Sequence, residues 1–112
     1  MIIFTRKMLS IFKSKPILKE IIPRNFIDIH SHLLPDIDDG AKNLDDTRNL
    51  LIQMKSFGIN HFITTPHIIT NIWDNTETKI YEKCEETRSA LINDNLFQSF
   101  NAAAEYMIDS FF

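Results

Sequence analysis

Short apolar runs alternate along the chain with longer amphipathic stretches. Residues 26–29 and 61–65 are rich in β-branched and aromatic side chains. A third β-prone run lies at roughly residues 98–102, and the three runs follow one another at roughly even spacing. Between them, residues 44–57 and 76–92 place apolar side chains at the three- and four-residue intervals of an α-helix. Alternating strands and helices of this kind predict a parallel sheet whose right-handed crossovers place the helices on the outside.

Local signals mark the ends of the first predicted helix and the buried face of the second. Asn43 can cap the first helix, and Asp45 and Asp46 place negative charge in its first turn, where the helix dipole favours it. Gly58 provides the C-terminal stop. The second helix carries an inward-facing stripe made of Ile80, Cys84, Thr87 and Leu91.

Charge and cysteine content remove several classes of function. A net charge of −3 and a pI near 5.7 argue against a surface that binds nucleic acid by neutralising phosphates. Cys84 is the one cysteine, so no internal disulfide forms. The Cys-x5-Arg loop of cysteine-dependent tyrosine phosphatases is absent, because Ala90 stands where that loop requires arginine. We therefore read Cys84 as a structural residue.

Residues 1–25 mix apolar and basic side chains. Lys13 and Lys15 interrupt the apolar run before it could serve as a signal-peptide core, and no run in the chain approaches the roughly 18 residues of a membrane span. We interpret residues 1–25 as the leader of a cytoplasmic protein. An amphipathic helix lying on a membrane surface over residues 2–14 is the alternative.

Polar side chains with metal-binding chemistry follow each predicted strand. In a barrel of βα units, chemistry lies at the carboxyl ends of the strands. His30 and His32 follow the first strand and share one face of an extended chain, His67 follows the second, and Glu105 follows the third. These residues are expected to meet at one rim. His61 lies at the opposite end of the second strand and is expected to be structural.

An acidic loop, residues 33–41, follows the two histidines. Its three aspartates, Asp36, Asp38 and Asp39, are consistent either with turn formation and helix entry or with a hard oxygen ligand for a cation. Imidazoles combined with carboxylates suit Zn²⁺, Mn²⁺ or Fe²⁺ better than Ca²⁺ or Mg²⁺. Such ions polarise a phosphoryl oxygen and activate water, so a hydrolase built on them needs no side-chain nucleophile.

Three segments together resemble one protein family. Residues 26–41 resemble the first motif of the CpsB/CapC-type protein-tyrosine phosphatases of the PHP superfamily, residues 63–67 resemble the second, and residues 103–106 with Asp109 resemble the third. The resemblance implies the α/β class, with this chain as the N-terminal part of a PHP-type distorted (β/α)7 barrel of parallel strands and outer helices.

The resemblance also implies an activity and a site. It implies hydrolysis of phosphotyrosine on proteins, above all a bacterial tyrosine kinase of exopolysaccharide or capsule synthesis. Two or three ions are expected in the complete domain, Mn²⁺ first, with Fe²⁺ and Zn²⁺ as alternatives. The implied metal ligands are His30, His32, Asp39, His67 and Glu105, of which Asp39 and Glu105 are also catalytic. Asp39 is preferred to Asp38 because related motifs place an aspartate immediately before the glycine.

The domain expectation is a leader at residues 1–25 and an incomplete N-terminal portion of the phosphoesterase domain at residues 26–112. Alone, the chain is expected to be inactive or weakly active. Two alternatives stay open: a PHP phosphoesterase acting on another phosphomonoester, such as histidinol phosphate, and a non-catalytic remnant. The sequence sets no oligomeric state.

Overall fold

The computed structural model describes residues 14–112. In chain order these residues form α1 (Leu18–Ile21), β1 (Ile27–Asp28), α2 (Leu44–Ser56), β2 (His61–Thr64), β3 (His67–Ile68), α3 (Glu77–Leu91), a 3₁₀ turn (Ile92–Asp94), β4 (Ser99–Ala102) and β5 (Glu105–Tyr106). The two long helices and three main strands occur where the sequence predicts them, with ends that differ by one or two residues. The alternative of a membrane-surface helix over residues 2–14 falls almost entirely outside the described residues.

The main sheet has the order β1-β2-β4, and both pairings are parallel. Ile27 lies opposite His61, and Phe62 lies opposite Phe100. Each pair of neighbouring strands is joined by one of the long helices, which is the βαβ connection that parallel strands require. The predicted α/β class with parallel strands is thereby confirmed.

The helix ends follow the predicted local chemistry. The side chain of Asn43 accepts a hydrogen bond from the Asp46 amide at 2.9 Å and caps α2. Thr76 caps α3 in the same way through the Lys79 amide at 3.1 Å. Gly58 adopts a φ of +86°, a left-handed conformation that a side chain would strain, and so the chain turns sharply from α2 towards β2.

The core lies between the main sheet and the two long helices. Phe62 of β2 and Phe100 of β4 are fully buried, with ring centroids 6.3 Å apart. Leu51 of α2 and Leu91 of α3 are also fully buried. The predicted inward stripe of α3 is confirmed, because all four of its members are buried.

Strand pairing resumes beyond the main sheet. Proline has no amide hydrogen, so Pro66 in the sequence predicts that the regular ladder ends there and that His67 stands where the strand leaves the sheet. The main ladder does stop at Thr64, but β3 and β5 then pair in parallel with the same offset along the chain, so that His67 lies opposite Glu105. The Pro66 carbonyl accepts the Glu105 amide at 2.9 Å, which carries the pairing across the gap. Proline removes one amide donor without ending the alignment.

No helix in residues 14–112 is long and apolar enough to cross a membrane.

Candidate metal centre

Two histidines extend from the end of β1 towards the acidic loop. His30 and His32 are separated by one residue of extended chain, and their rings meet edge to face with centroids 5.9 Å apart. The Ser31 carbonyl between them accepts bonds from the Thr65 amide at 2.7 Å and the Thr64 hydroxyl at 2.7 Å. The segment that carries both imidazoles is therefore fixed to the end of β2.

Glu105 lies at the centre of the histidines. Its Oε2 atom lies 3.9 Å from His30 Nε2, 3.4 Å from His32 Nε2 and 3.5 Å from His67 Nδ1. Oε2 is buried and has no hydrogen-bond partner among the described residues. A buried carboxylate oxygen without a partner is costly, and such an atom is a candidate ligand for a cation.

The distances around Glu105 fit donors that share an ion better than they fit hydrogen bonds. Ligand atoms on a four-coordinate ion at about 2.1 Å lie about 3.4 Å apart, whereas N–H···O hydrogen bonds cluster near about 2.9 Å. His30, His32 and Glu105 each offer one donor atom within 4.8 Å of the others. The donor set of these three residues therefore fits a divalent metal.

A second group shares His32 with the first. His32, Asp39 and His67 also bring one donor atom each within 4.8 Å of one another, and Asp39 Oδ1 lies 3.4 Å from His67 Nε2. The rings of His32 and His67 are 4.5 Å apart between centroids. All five residues expected as ligands thus belong to one of two adjoining groups, as a site for more than one ion requires.

The acidic loop divides its aspartates between different tasks. Asp36 adopts a left-handed φ of 54° at a tight turn and is exposed, which is a conformation that aspartate tolerates. Asp39 is also exposed and faces His67. The side chain of Asp38 is fully buried and hydrogen-bonded to His32 Nδ1 at 2.7 Å. Of Asp38 and Asp39, Asp39 is therefore the one with an exposed carboxylate beside a candidate histidine ligand.

Gly40 allows the acidic loop to close against the first histidine pair. A Cβ atom at this position would lie 2.3 Å from the His32 carbonyl oxygen and 2.4 Å from the His32 Cβ, both of which are too close for any side chain. The next amide, of Ala41, donates to the same carbonyl at 3.2 Å. Glycine is needed here for close approach rather than for its φ.

Sequence reasoning missed two residues that hold the site together. The sequence indicates for Asp38 either a role in the turn or a place as rival ligand to Asp39, and it gives no signal for Asn75, just before α3. Asn75 is buried and donates to the carbonyl oxygens of Ile37 and His67, each at 2.9 Å. No local pattern marks Asn75, because Ile37 lies far away in the acidic loop and His67 lies in β3.

His61 and Cys84 lie outside both groups, as the sequence indicated. His61 Nδ1 is 2.9 Å from the Ser99 hydroxyl at the amino end of the main sheet. Cys84 is buried in the stripe of α3, and burial raises the pKa of its thiol. A thiol held protonated in the core is not a nucleophile.

We expect His61→Gln to leave metal binding unchanged and His67→Gln to weaken it by at least tenfold. Glutamine at position 61 can still form a hydrogen bond with Ser99. Glutamine at position 67 removes the imidazole that lies close to both Asp39 and Glu105. Titration calorimetry of each variant with Mn²⁺ measures the difference. Equal losses in the two variants would show that histidine substitution acts through the fold and not through the site.

A groove of about 390 Å³ lies between α3 and the stretch from β4 to β5. Tyr106 lines this groove and donates a hydrogen bond to Glu77 at 2.8 Å, which raises the pKa of Tyr106. None of the five candidate ligands lines it. The side chains of His30 and Asp39 are exposed, so the candidate ligands form an open cluster at the strand ends, apart from this groove.

Several known proteins are similar to this chain in sequence. CpsB of Streptococcus pneumoniae, a tyrosine-protein phosphatase, is 30% identical over 86 residues, which cover 75% of this chain and 35% of CpsB. The tyrosine-protein phosphatase YwqE of Bacillus subtilis is 31% identical over 70 residues, 62% of this chain and 28% of YwqE. The putative tyrosine-protein phosphatase CapC of Staphylococcus aureus is 33% identical over 63 residues, 56% of this chain and 25% of CapC.

A solved structure from work on YwqE of Bacillus subtilis and CpsB of Streptococcus pneumoniae, described as unique metal-dependent tyrosine phosphatases, superposes with a TM-score of 0.68. Its sequence is 28% identical, and the match covers 76% of this chain and 34% of the solved one. The chain thus spans about a quarter to a third of the length of the proteins that it matches.

The sequence signature of the family described as capsular polysaccharide synthesis, CpsB/CapC, matches residues 26–109, and the chain belongs to that family.

Proposed function

We propose that this site takes part in the metal-dependent hydrolysis of phosphotyrosine on proteins. The observation that carries the proposal concerns Oε2 of Glu105, which is buried, has no hydrogen-bond partner within residues 14–112 and lies between 3.4 and 3.9 Å from nitrogens of three histidines. Family membership and the tyrosine phosphatase activity named for CpsB and YwqE support the same reaction.

The proposed ligands are His30, His32, Asp39, His67 and Glu105, with Asp39 and Glu105 as the catalytic carboxylates. Glu105 faces three imidazoles, which suits a carboxylate that bridges two ions. The mixture of nitrogen and oxygen donors supports Mn²⁺, with Fe²⁺ and Zn²⁺ as alternatives. Two or three ions in the complete domain are consistent with two adjoining groups that share His32.

Bound ions would polarise a phosphoryl oxygen and lower the pKa of a coordinated water. The task of the chain is to hold its donors in place before substrate arrives. The paired β3 and β5 set His67 opposite Glu105, and the bonds from Thr64 and Thr65 to Ser31 fix the segment that carries His30 and His32. Cys84 is buried, and burial raises the pKa of its thiol. The Cys84 thiol therefore does not compete with water as the nucleophile.

The proposed substrate is a phosphorylated bacterial tyrosine kinase of capsule or exopolysaccharide synthesis, in keeping with the capsular role in the family description. The proposed location is the cytoplasm, where a lone cysteine stays reduced. We further propose that residues 26–112 are the N-terminal portion of the phosphoesterase domain, preceded by a leader at residues 1–25. Weak or absent activity of the 112-residue chain alone stays a prediction.

A chimera tests the reaction. Residues 26–109 replace the matching segment of Streptococcus pneumoniae CpsB, and circular dichroism checks that the product folds. We expect Mn²⁺-dependent phosphate release from a phosphotyrosine peptide, abolished by EDTA, restored by Mn²⁺ and lost in the His67→Gln chimera.

Two outcomes of that assay would contradict the proposal. A folded chimera that hydrolyses histidinol phosphate faster than the phosphotyrosine peptide would assign the site to another phosphomonoester. A folded chimera that binds Mn²⁺ but hydrolyses neither substrate would indicate a non-catalytic remnant.

A further inference from the structure

The side chain of Asp38 accepts three hydrogen bonds next to the candidate metal centre. Its Oδ2 accepts from His32 Nδ1 at 2.7 Å and from the His67 amide at 3.0 Å, and its Oδ1 accepts from the Gly40 amide at 3.0 Å. The side chain is 0% exposed. A buried carboxylate is stable only when its oxygens are satisfied, and here each donor belongs to the site itself.

The bond from His32 to Asp38 selects one tautomer of the imidazole. A neutral imidazole that donates from Nδ1 carries its lone pair on Nε2. Nε2 is the His32 atom that lies 3.4 Å from Glu105 Oε2. The opposite tautomer would place a proton where a ligand lone pair is required, so the Asp38 carboxylate decides whether His32 can bind a metal.

Asp38 also accepts a hydrogen bond from the backbone of His67, just beyond the end of β2. The carbonyls of Pro66 and Ile68 accept hydrogen bonds from the amides of Glu105 and Met107, on the β5 side. The peptide groups of His67, which lies between them, face the opposite edge. There the His67 amide donates to Asp38 at 3.0 Å, so a side chain satisfies a group that a neighbouring strand would otherwise bind.

Asn75 completes the other half of this arrangement. Its Nδ2 donates to the His67 carbonyl at 2.9 Å, so both backbone polar groups of His67 are held by side chains. The same amide donates to the Ile37 carbonyl at 2.9 Å, next to Asp38. Asn75 is only 6% exposed, and it directly precedes the N-cap of α3. The acidic loop, β3 and the start of α3 are thereby joined at one point.

We propose that Asp38 and Asn75 are positioning residues for the metal centre. Asp38 selects the Nε2 lone-pair tautomer of His32, and the two residues together fix the backbone of His67. This role rests on the metal site proposed above, but it concerns residues that are not themselves ligands. Partners of this kind typically change metal affinity by about 10- to 100-fold when they are removed.

The first test is the tautomer of His32 in the metal-free chain. Long-range ¹H–¹⁵N correlation spectra at about pH 8.5, above the ordinary histidine pKa of about 6.5, distinguish the two nitrogens. We expect the wild-type ring to carry its proton on Nδ1. Asp38→Asn should raise the share of the other tautomer, because a neutral amide is a weaker acceptor than a carboxylate and its single oxygen has to replace two oxygens that together bind His32, His67 and Gly40.

The second test is the affinity for Mn²⁺ alone, measured by titration calorimetry. Asp38→Asn is expected to lower the affinity about 10- to 100-fold. Asn75→Ala should lower it about tenfold while the tautomer of His32 stays unchanged. The matched control is Asp36→Asn, the same substitution in the same loop at an exposed position, where asparagine also tolerates the left-handed φ. It should change neither quantity.

The outcomes separate this proposal from the metal site on which it rests. A wild-type His32 with its proton on Nε2 overturns the proposal even if the variants fail to fold. So does an Asp38→Asn chain that folds and binds Mn²⁺ within twofold of the wild type. If the wild-type chain binds no Mn²⁺ while Asp38→Asn still switches the tautomer, the proposed metal site fails and the control of His32 by Asp38 stands.

Discussion

Glu105→Gln is expected to lower the affinity of the chain for Mn²⁺ by about 100-fold or more. This is a larger loss than the usual effect of substituting a residue that only positions a metal ligand. The substitution removes the charge that faces His30, His32 and His67 and replaces a ligand oxygen with an amide. Titration calorimetry of wild type and variant measures the loss. A variant with wild-type affinity would remove Glu105 from the site.

The same substitution should have the opposite effect on the metal-free chain. Oε2 of Glu105 is buried without a hydrogen-bond partner among the described residues, so a neutral amide there is expected to leave the melting temperature unchanged or to raise it. Mn²⁺ should raise the melting temperature of the wild type and not of the variant. Stability without metal and binding of metal then respond in opposite directions, as expected for a group kept for function.

The matched control for this experiment is Glu82→Gln. Glu82 is an exposed residue of α3 and belongs to neither candidate group of ligands. The Glu82→Gln variant should bind Mn²⁺ as the wild type does and melt at nearly the same temperature. A similar loss of affinity in Glu82→Gln would mean that the measured effect reflects net charge rather than the Glu105 carboxylate.

Phe62→Ala is expected to lower the free energy of unfolding by about 3–5 kcal/mol, the usual effect of removing a buried aromatic ring. Phe62 is 0% exposed and packs against Phe100 in the centre of the main sheet. Small domains have total stabilities of about 5–15 kcal/mol, so the loss is a large share of the whole. Urea denaturation followed by circular dichroism measures the shift in midpoint.

Phe111→Ala is the control for the loss of a ring without the loss of core packing. Phe111 is 69% exposed, and its truncation should change the free energy of unfolding by less than about 0.5 kcal/mol. If the two variants unfold at the same urea concentration, the assigned core is wrong. The position of β2 in the sheet would then also be in doubt, and with it the support for the Ser31 segment from Thr64.

The main elements could be predicted because their signals are local. The cap Asn43, the stop at Gly58 and the helical stripe of α3 depend on neighbours within a few residues. His30 and His32 share a side because side chains on an extended chain alternate. In a barrel of βα units, chemistry lies at the carboxyl ends of the strands, and this rule predicted that His67 and Glu105 would lie near the two histidines. The sequence by itself therefore determined the class of fold and the candidate ligands.

Only the tertiary structure decided how those ligands are held. The pairing of β3 with β5 places His67 opposite Glu105, although a proline precedes His67. The assignment of Asp38 to hydrogen bonding rather than to a cation depends on the acidic loop closing onto His32, with no space for a side chain at Gly40. These contacts join segments that are distant along the chain, and their hydrogen bonds form only when the loop, the strand and the helix start have packed together. No local pattern of residues can encode them.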